Sequence, residues 1–332
     1  MFKLPFATRL LAGVALATTA VPASALPATA DATVVTASPS QKPQSVRPTI
    51  HYRTVEVDGV KIFYREAGPR NAPAILLLHG FPSSSHMFRD LIPLLATNYR
   101  VVAPDYPGFG YSSQPPRDQY RYSFENLYRT VDSFTRAVGL EKFAIYVQDY
   151  GSPIGLRIAS RQPERVTGII VQNGNAYDVG LAPIWDPIKA YWAEDKPERR
   201  EALREFLTEK ITTFQYSEGV PADQVNPDAI RNDQAILDRP GNAEIQLDLF
   251  RDYRSNLALY PEFQRYFRDK NPPILIAWGK NDPIFTVAGA QAFLKDRPDA
   301  ELHLLDAGHF ALETHSGEIA ALIHDFLQRR IR

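Results

Sequence analysis

From Tyr52 onward, short runs of branched apolar residues alternate with segments whose apolar residues recur at helical spacing. This alternation constrains the fold more than any other feature, because it reads as strands joined by crossover helices in a mostly parallel sheet. Strands are expected at residues 54–57, 61–66, 74–78, 100–103, 142–147, 166–171, 273–278 and 301–305, with Asp58-Gly59 closing an antiparallel hairpin between the first two. Helical patterns cover residues 88–96, 124–138, 153–160 and 318–330. One interval breaks the rhythm. Residues 175–268 show no convincing strand, only helical patterns around 187–192, 199–211 and 245–267. The expectation is an α/β fold: an eight-stranded core from residues 50–174 and 269–332, with a helical cap, 175–268, inserted between its sixth and seventh strands.

A chain of 332 residues, 44% of them hydrophobic, has enough apolar side chain to bury such a core. The 37 basic and 38 acidic residues are interspersed, so no groove for nucleic acid is expected. The chain has no cysteine, which excludes disulfides, thiolate metal sites and a cysteine nucleophile. Lys3 and Arg9, an apolar centre from Leu10 to Val21, and Ala23-Ser24-Ala25 read as an export signal over residues 1–25, leading to the periplasm or the exterior. The apolar run is too short for a spanning helix, so no stable membrane anchor is expected. Residues 26–49, rich in Ala, Thr, Ser and Pro without period, read as a disordered linker.

Asp149 ends the fifth strand, with Gly151 two residues on and Pro153 at the start of a helix. A strand-turn-helix elbow exposes one side chain at the carboxyl edge of a sheet and aims the next backbone N–H at the same spot. Gly151 suits the tight turn; Val147 is larger than the glycine often found upstream. Asp282 follows the seventh strand, and Gly308-His309 follows the eighth. Nucleophile, acid, histidine is the order in which the α/β-hydrolase architecture delivers a catalytic triad. Asn173, after the sixth strand, is an amide and cannot stabilise an imidazolium electrostatically, which assigns the acid to Asp282. His79-Gly80-Phe81-Pro82 follows the third strand and places the Phe81 N–H beside the Tyr150 N–H as an oxyanion hole. His79 itself reads as shaping that loop, and Asp105 as ordering the turn from Pro107 to Gly110.

With these motifs in order, the chain resembles the α/β-hydrolase superfamily, and within it the epoxide hydrolases and haloalkane dehalogenases, which use aspartate in place of serine. The resemblance covers residues 54–331. It implies that Asp149 attacks an sp3 carbon to form an alkyl-enzyme ester, which a water activated by His309 and Asp282 then hydrolyses. Tyr253, in Asp-Tyr-Arg-Ser-Asn, and Tyr191 resemble the cap tyrosines that protonate an opening epoxide. The dehalogenases typically carry tryptophan where this chain has Tyr150, and Asn or Glu where it has Phe81. Gln148 matches some of them, and Trp185 or Trp192 could line a halide pocket. Fluoroacetate dehalogenases place arginines just after the nucleophile, where Tyr150 and Pro153 stand here.

The resemblance therefore implies an epoxide hydrolase-like enzyme acting on a small hydrophobic substrate and water, with no cofactor and no metal. A haloalkane dehalogenase is the alternative, and a non-catalytic pocket binding a small ligand a third reading. Plainer roles exist for each residue: Asp149 as a helix cap, His309 as a structural histidine, Asp282 as a turn residue. Tyr253 falls in a stripe with Phe250, Leu257, Tyr260, Phe263 and Phe267 that could simply pack.

Overall fold

The computed structural model describes residues 48–331. The expected export signal, and the linker up to residue 47, lie outside the described residues. Strands β1 (His51–Val57), β2 (Val60–Ala67), β3 (Ala74–Leu78), β4 (Arg100–Pro104), β5 (Phe143–Gln148), β6 (Val166–Gln172), β7 (Ile274–Gly279) and β8 (Glu301–Leu305) form one sheet. Their order is β1-β2-β4-β3-β5-β6-β7-β8. β2 runs antiparallel to both neighbours, and the remaining pairs are parallel.

Helices cover both faces, so the central strands are apolar along most of their length, with Gln148 and Gln172 at the carboxyl ends of β5 and β6, and residues 75–78 are fully buried. Side chains alternate between two cores. Leu76, Leu78, Ile145, Val147, Ile169 and Val171 face α2 (Phe124–Ala137) and α3 (Gly151–Arg161), whereas Ile75, Leu77, Tyr146 and Ile170 pack on the other side with α1 (Leu91–Leu95). The interval between β6 and β7 carries α4 (Asp186–Ala193), α5 (Pro197–Ala202), α6 (Glu209–Ser217), α7 (Pro227–Leu237), α8 (Asn242–Asp252) and α9 (Arg254–Lys270). Helix α10 (Val287–Asp296) joins β7 to β8, and α11 (Leu312–Arg330) follows β8 on the α1 side of the sheet.

Several elements differ from the sequence expectation. The single helix expected over 199–211 is α5, a 3-10 turn at Leu203–Leu207, and the start of α6. That expected over 245–267 divides at Tyr253 into α8 and α9. Helix α7 went unforeseen because its buried face includes Asp233 and Gln234, which hide the apolar period. α10 was masked by its small residues, Ala288, Gly289 and Ala290.

The start of α3 lies against the end of β3. A Cβ on Gly151 would collide with the Leu78 carbonyl oxygen, so only glycine lets the helix begin there. Gly151→Ala is expected to lower stability by about 1–3 kcal/mol. Urea unfolding would show this as an earlier midpoint with unchanged slope.

Candidate active site

The parallel strands present their carboxyl ends along one edge, and every candidate residue of the core sits just beyond one of them. Asp149, after β5, adopts φ 47°, in the left-handed region that non-glycine residues avoid. Its N–H donates to the Asn173 carbonyl at 3.2 Å, which ties the corner to the end of β6. Its Oδ1 accepts the Phe81 N–H at 2.7 Å. Burial raises the Asp149 pKa to about 6; the His309 charge and the N–H groups of Phe81 and Tyr150 oppose that rise, and Asp282 adds to it. The carboxyl group is therefore mostly ionised at neutral pH.

His309 is fully buried, and its Nδ1 lies 2.9 Å from Asp282 Oδ2. Asp282 is fixed in turn: Oδ1 accepts from the Ile284 N–H at 2.7 Å, and Oδ2 from Asn173 Nδ2 at 2.7 Å. Burial depresses the imidazole pKa, but the charge and hydrogen bond of Asp282, aided by Asp149, raise it overall above its ordinary value. Gln172 Nε2 donates to the His309 carbonyl at 2.9 Å and to Asn173 Oδ1 at 2.6 Å. His309 Nε2 faces Gln148 Nε2 at 2.9 Å.

Asp149 opens into a small cavity of about 40 Å³ between the sheet edge and the cap. Its walls are largely apolar: Phe81 from the core, Trp185 and Ile188 at the start of the cap, and Phe206, Ile211 and Phe250 further along. Apart from Asp149, the only polar groups among its lining residues are the Tyr150 hydroxyl, the Gln215 amide and the indole N–H of Trp185. The last donates to the Ile284 carbonyl at 3.2 Å, which leaves it committed to the protein. No charged side chain other than Asp149 lines the cavity, so a charged substrate would find no counter-ion there.

Two cap residues expected at the site are not in this cavity. Trp192 donates its indole N–H to the Phe250 carbonyl at 2.7 Å and stands behind Tyr253, with parallel rings. Tyr191 is buried and does not line the cavity. Both lie on α4, which packs against α5 and α8. Tyr253 takes an intermediate place. Its ring packs against Trp185 and Tyr150, with centroids 4.5 and 5.9 Å away, and its buried hydroxyl lies near that of Tyr260. It lines the back of the wall rather than the cavity itself.

His79 stacks on Tyr106 with centroids 3.9 Å apart, accepts the Tyr106 N–H at Nε2, and is kept neutral by burial, with a pKa of about 3. Asp105 accepts the N–H groups of Ser85 and Tyr111, both at 2.7 Å. Gln215 and the structural use of Asn173 were not foreseen. A strand-end position points to Asn173, whereas nothing in sequence separates Gln215 from the other polar residues of α6.

Residues 73–316 match the model of the alpha/beta hydrolase fold family. The chain belongs to the α/β-hydrolase superfamily and is a hydrolase. Among its relatives is the uncharacterized hydrolase YNR064C of Saccharomyces cerevisiae, 48% identical over 268 residues that cover 79% of this chain and 92% of that one. A haloalkane dehalogenase of Psychrobacter cryohalolentis is 26% identical over 301 residues, 83% of this chain and 91% of its own. The crystal structure of the haloalkane dehalogenase DatA from Agrobacterium tumefaciens superposes with a TM-score of 0.70 at 26% identity, covering 84% of this chain and 97% of that one.

Asp149 also bears on the stability of this hydrolase. Its folded pKa is raised above the unfolded value of about 4, so ionising it costs folding free energy as pH climbs through that window, and the full cost is present above pH ~6. Asp149→Asn keeps the acceptor for the Phe81 N–H and removes the charge. Its Tm is expected to exceed that of the wild type at pH 7.5 by roughly 2–5 °C, with the gap closing towards pH 4.5. Scanning calorimetry at the two pH values measures the difference.

Proposed function

We propose that the chain hydrolyses small, uncharged alkyl electrophiles through an ester on Asp149, with haloalkanes as its first substrate class. The observation that carries this reading is the position of the Asp149 carboxyl group. It ends an apolar cavity with one oxygen held by the Phe81 N–H, and His309 and Asp282 form a hydrogen-bonded pair at the same edge. The other oxygen attacks the carbon that bears the halogen, and the carbon–halogen bond breaks with its electron pair on the halide. The oxygen held by Phe81 becomes the ester carbonyl, already in its oxyanion site. Water then loses a proton to His309 and adds to the ester carbonyl carbon; collapse releases the alcohol and restores the carboxylate.

Haloalkanes come first because dehalogenases recur among the named relatives and because the apolar walls suit alkyl chains. The Trp185 and Trp192 indole N–H groups are committed to backbone carbonyls, and the Gln215 amide is the cap group on the cavity wall able to donate to a halide. Epoxides form a second reading, favoured by the buried Tyr253 hydroxyl, whose charge interaction reaches Asp149. Burial keeps that phenol protonated well into the alkaline range, as a donor to an opening alkoxide requires.

His309→Gln incubated with 1-bromobutane should gain the mass of one butyl group, mapping to Asp149 by peptide mass spectrometry. Turnover by the wild type with no adduct in this variant would exclude the ester route. Gln215→Leu should slow bromide release by about 10-fold or more. Turnover of styrene oxide faster than any bromoalkane, together with a similar loss in Tyr253→Phe, would move the assignment to epoxides.

A further inference from the structure

Gln148 is fully buried, and its place beside His309 is tightly defined. Because Asp282 takes the Nδ1–H, the imidazole Nε2 presents its lone pair, and a donor is required to meet it. The Gln148 NH2 does so at 2.9 Å. This leaves Gln148 Oε1 buried without any hydrogen-bond donor among the described residues, in the space a Cβ on Gly80 would take. A buried amide with one end on the base and the other unsatisfied costs free energy, so it calls for a functional account. The lone pair it covers is the one that must take a proton from the hydrolytic water.

We infer that Gln148 is a positioning residue for the second half of the reaction: it holds the resting imidazole, yields Nε2 to the hydrolytic water, and turns its free carbonyl to that water or to the imidazolium. This rests on the ester route proposed above. In that step the water O–H bond breaks with its proton going to His309 Nε2, and the hydroxide oxygen bonds to Asp149 Cγ. The bond from Cγ to the alkyl oxygen then breaks, and the proton on His309 passes to the departing alkoxide. An amide suits both stages because it can donate to neutral imidazole and accept from its cation. The first half-reaction needs neither, since attack by Asp149 transfers no proton through His309.

Single-turnover measurements with 1-bromobutane separate the halves, with bromide release reporting alkylation and decay of the adduct in intact mass reporting hydrolysis. Gln148→Leu removes both amide functions at similar volume. Its alkylation rate is expected within about 3-fold of the wild type, with hydrolysis at least 10-fold slower and the adduct accumulating. Gln148→Glu can accept but not donate. It should move the acid limb of the hydrolysis step up by a pH unit or more while leaving alkylation at pH 8 intact. Equal losses in both steps for Gln148→Leu, or hydrolysis unchanged or faster, would overturn the inference, as would an unmoved limb in Gln148→Glu. An adduct absent from His309→Gln and from every Gln148 variant would instead overturn the ester route itself.

Discussion

The hydrogen bond from the Phe81 N–H to Asp149 Oδ1 is the contact around which the site is organised. It joins the loop after β3 to the corner after β5, and it requires Asp149 to remain in a left-handed conformation worth about 1–3 kcal/mol of strain. Neighbouring structure holds that conformation in place. The Asp149 N–H is tied to Asn173, Gly151 fits against the Leu78 carbonyl, and the glycine at position 80 leaves room for the Asp149 carboxyl and the Gln148 amide. Desolvation follows from the same arrangement and lifts the carboxyl pKa to about 6. The group thus stays ionised at neutral pH yet poorly solvated, as the proposed attack on carbon requires.

Asn173 links this corner to the base. It lies at the end of β6, between the strand that delivers Asp149 and the strand that delivers Asp282. Its carbonyl accepts from Asp149 and its amide donates to Asp282, while its Oδ1 accepts the Gly279 N–H at 2.9 Å. With Gln172 anchoring the His309 backbone, a buried amide network spans four strand ends and sets the orientation of the imidazole. Gln148 completes it from the Nε2 side. The pair of groups expected to act on protons is therefore bounded by amides, which can satisfy hydrogen bonds without adding charge to an enclosed site.

The cap supplies apolar volume and little polarity. Its two tryptophan N–H groups are spent on backbone carbonyls, which fixes the indoles as walls. That leaves the Gln215 amide, the Tyr150 hydroxyl and, behind the wall, the Tyr253 hydroxyl as the groups that the proposed reaction would use to meet its leaving group. A site built in this way selects by size and lack of charge first, and by the chemistry of the leaving group through a very small number of donors.

Much of the architecture was legible in the sequence because parallel strands buried on both faces must be apolar throughout, and turn chemistry marks their ends. Asp149, Asp282 and His309 could be singled out for the same reason: each stands just past a strand, and all the carboxyl ends of a parallel sheet share one edge. The cap was another matter. Tyr191, Trp192 and Tyr253 occupy helices whose rotation is set by packing against one another, and a helical period reports which residues share a face but not what that face meets. Only the tertiary structure kept Tyr191 out of the cavity wall, placed Trp192 behind Tyr253, and brought Gln215 to the same cavity as Asp149. The sequence by itself determined the sheet edge and the residues that stand on it; the fold decided which cap groups reach them, because that depends on contacts between segments far apart in the chain.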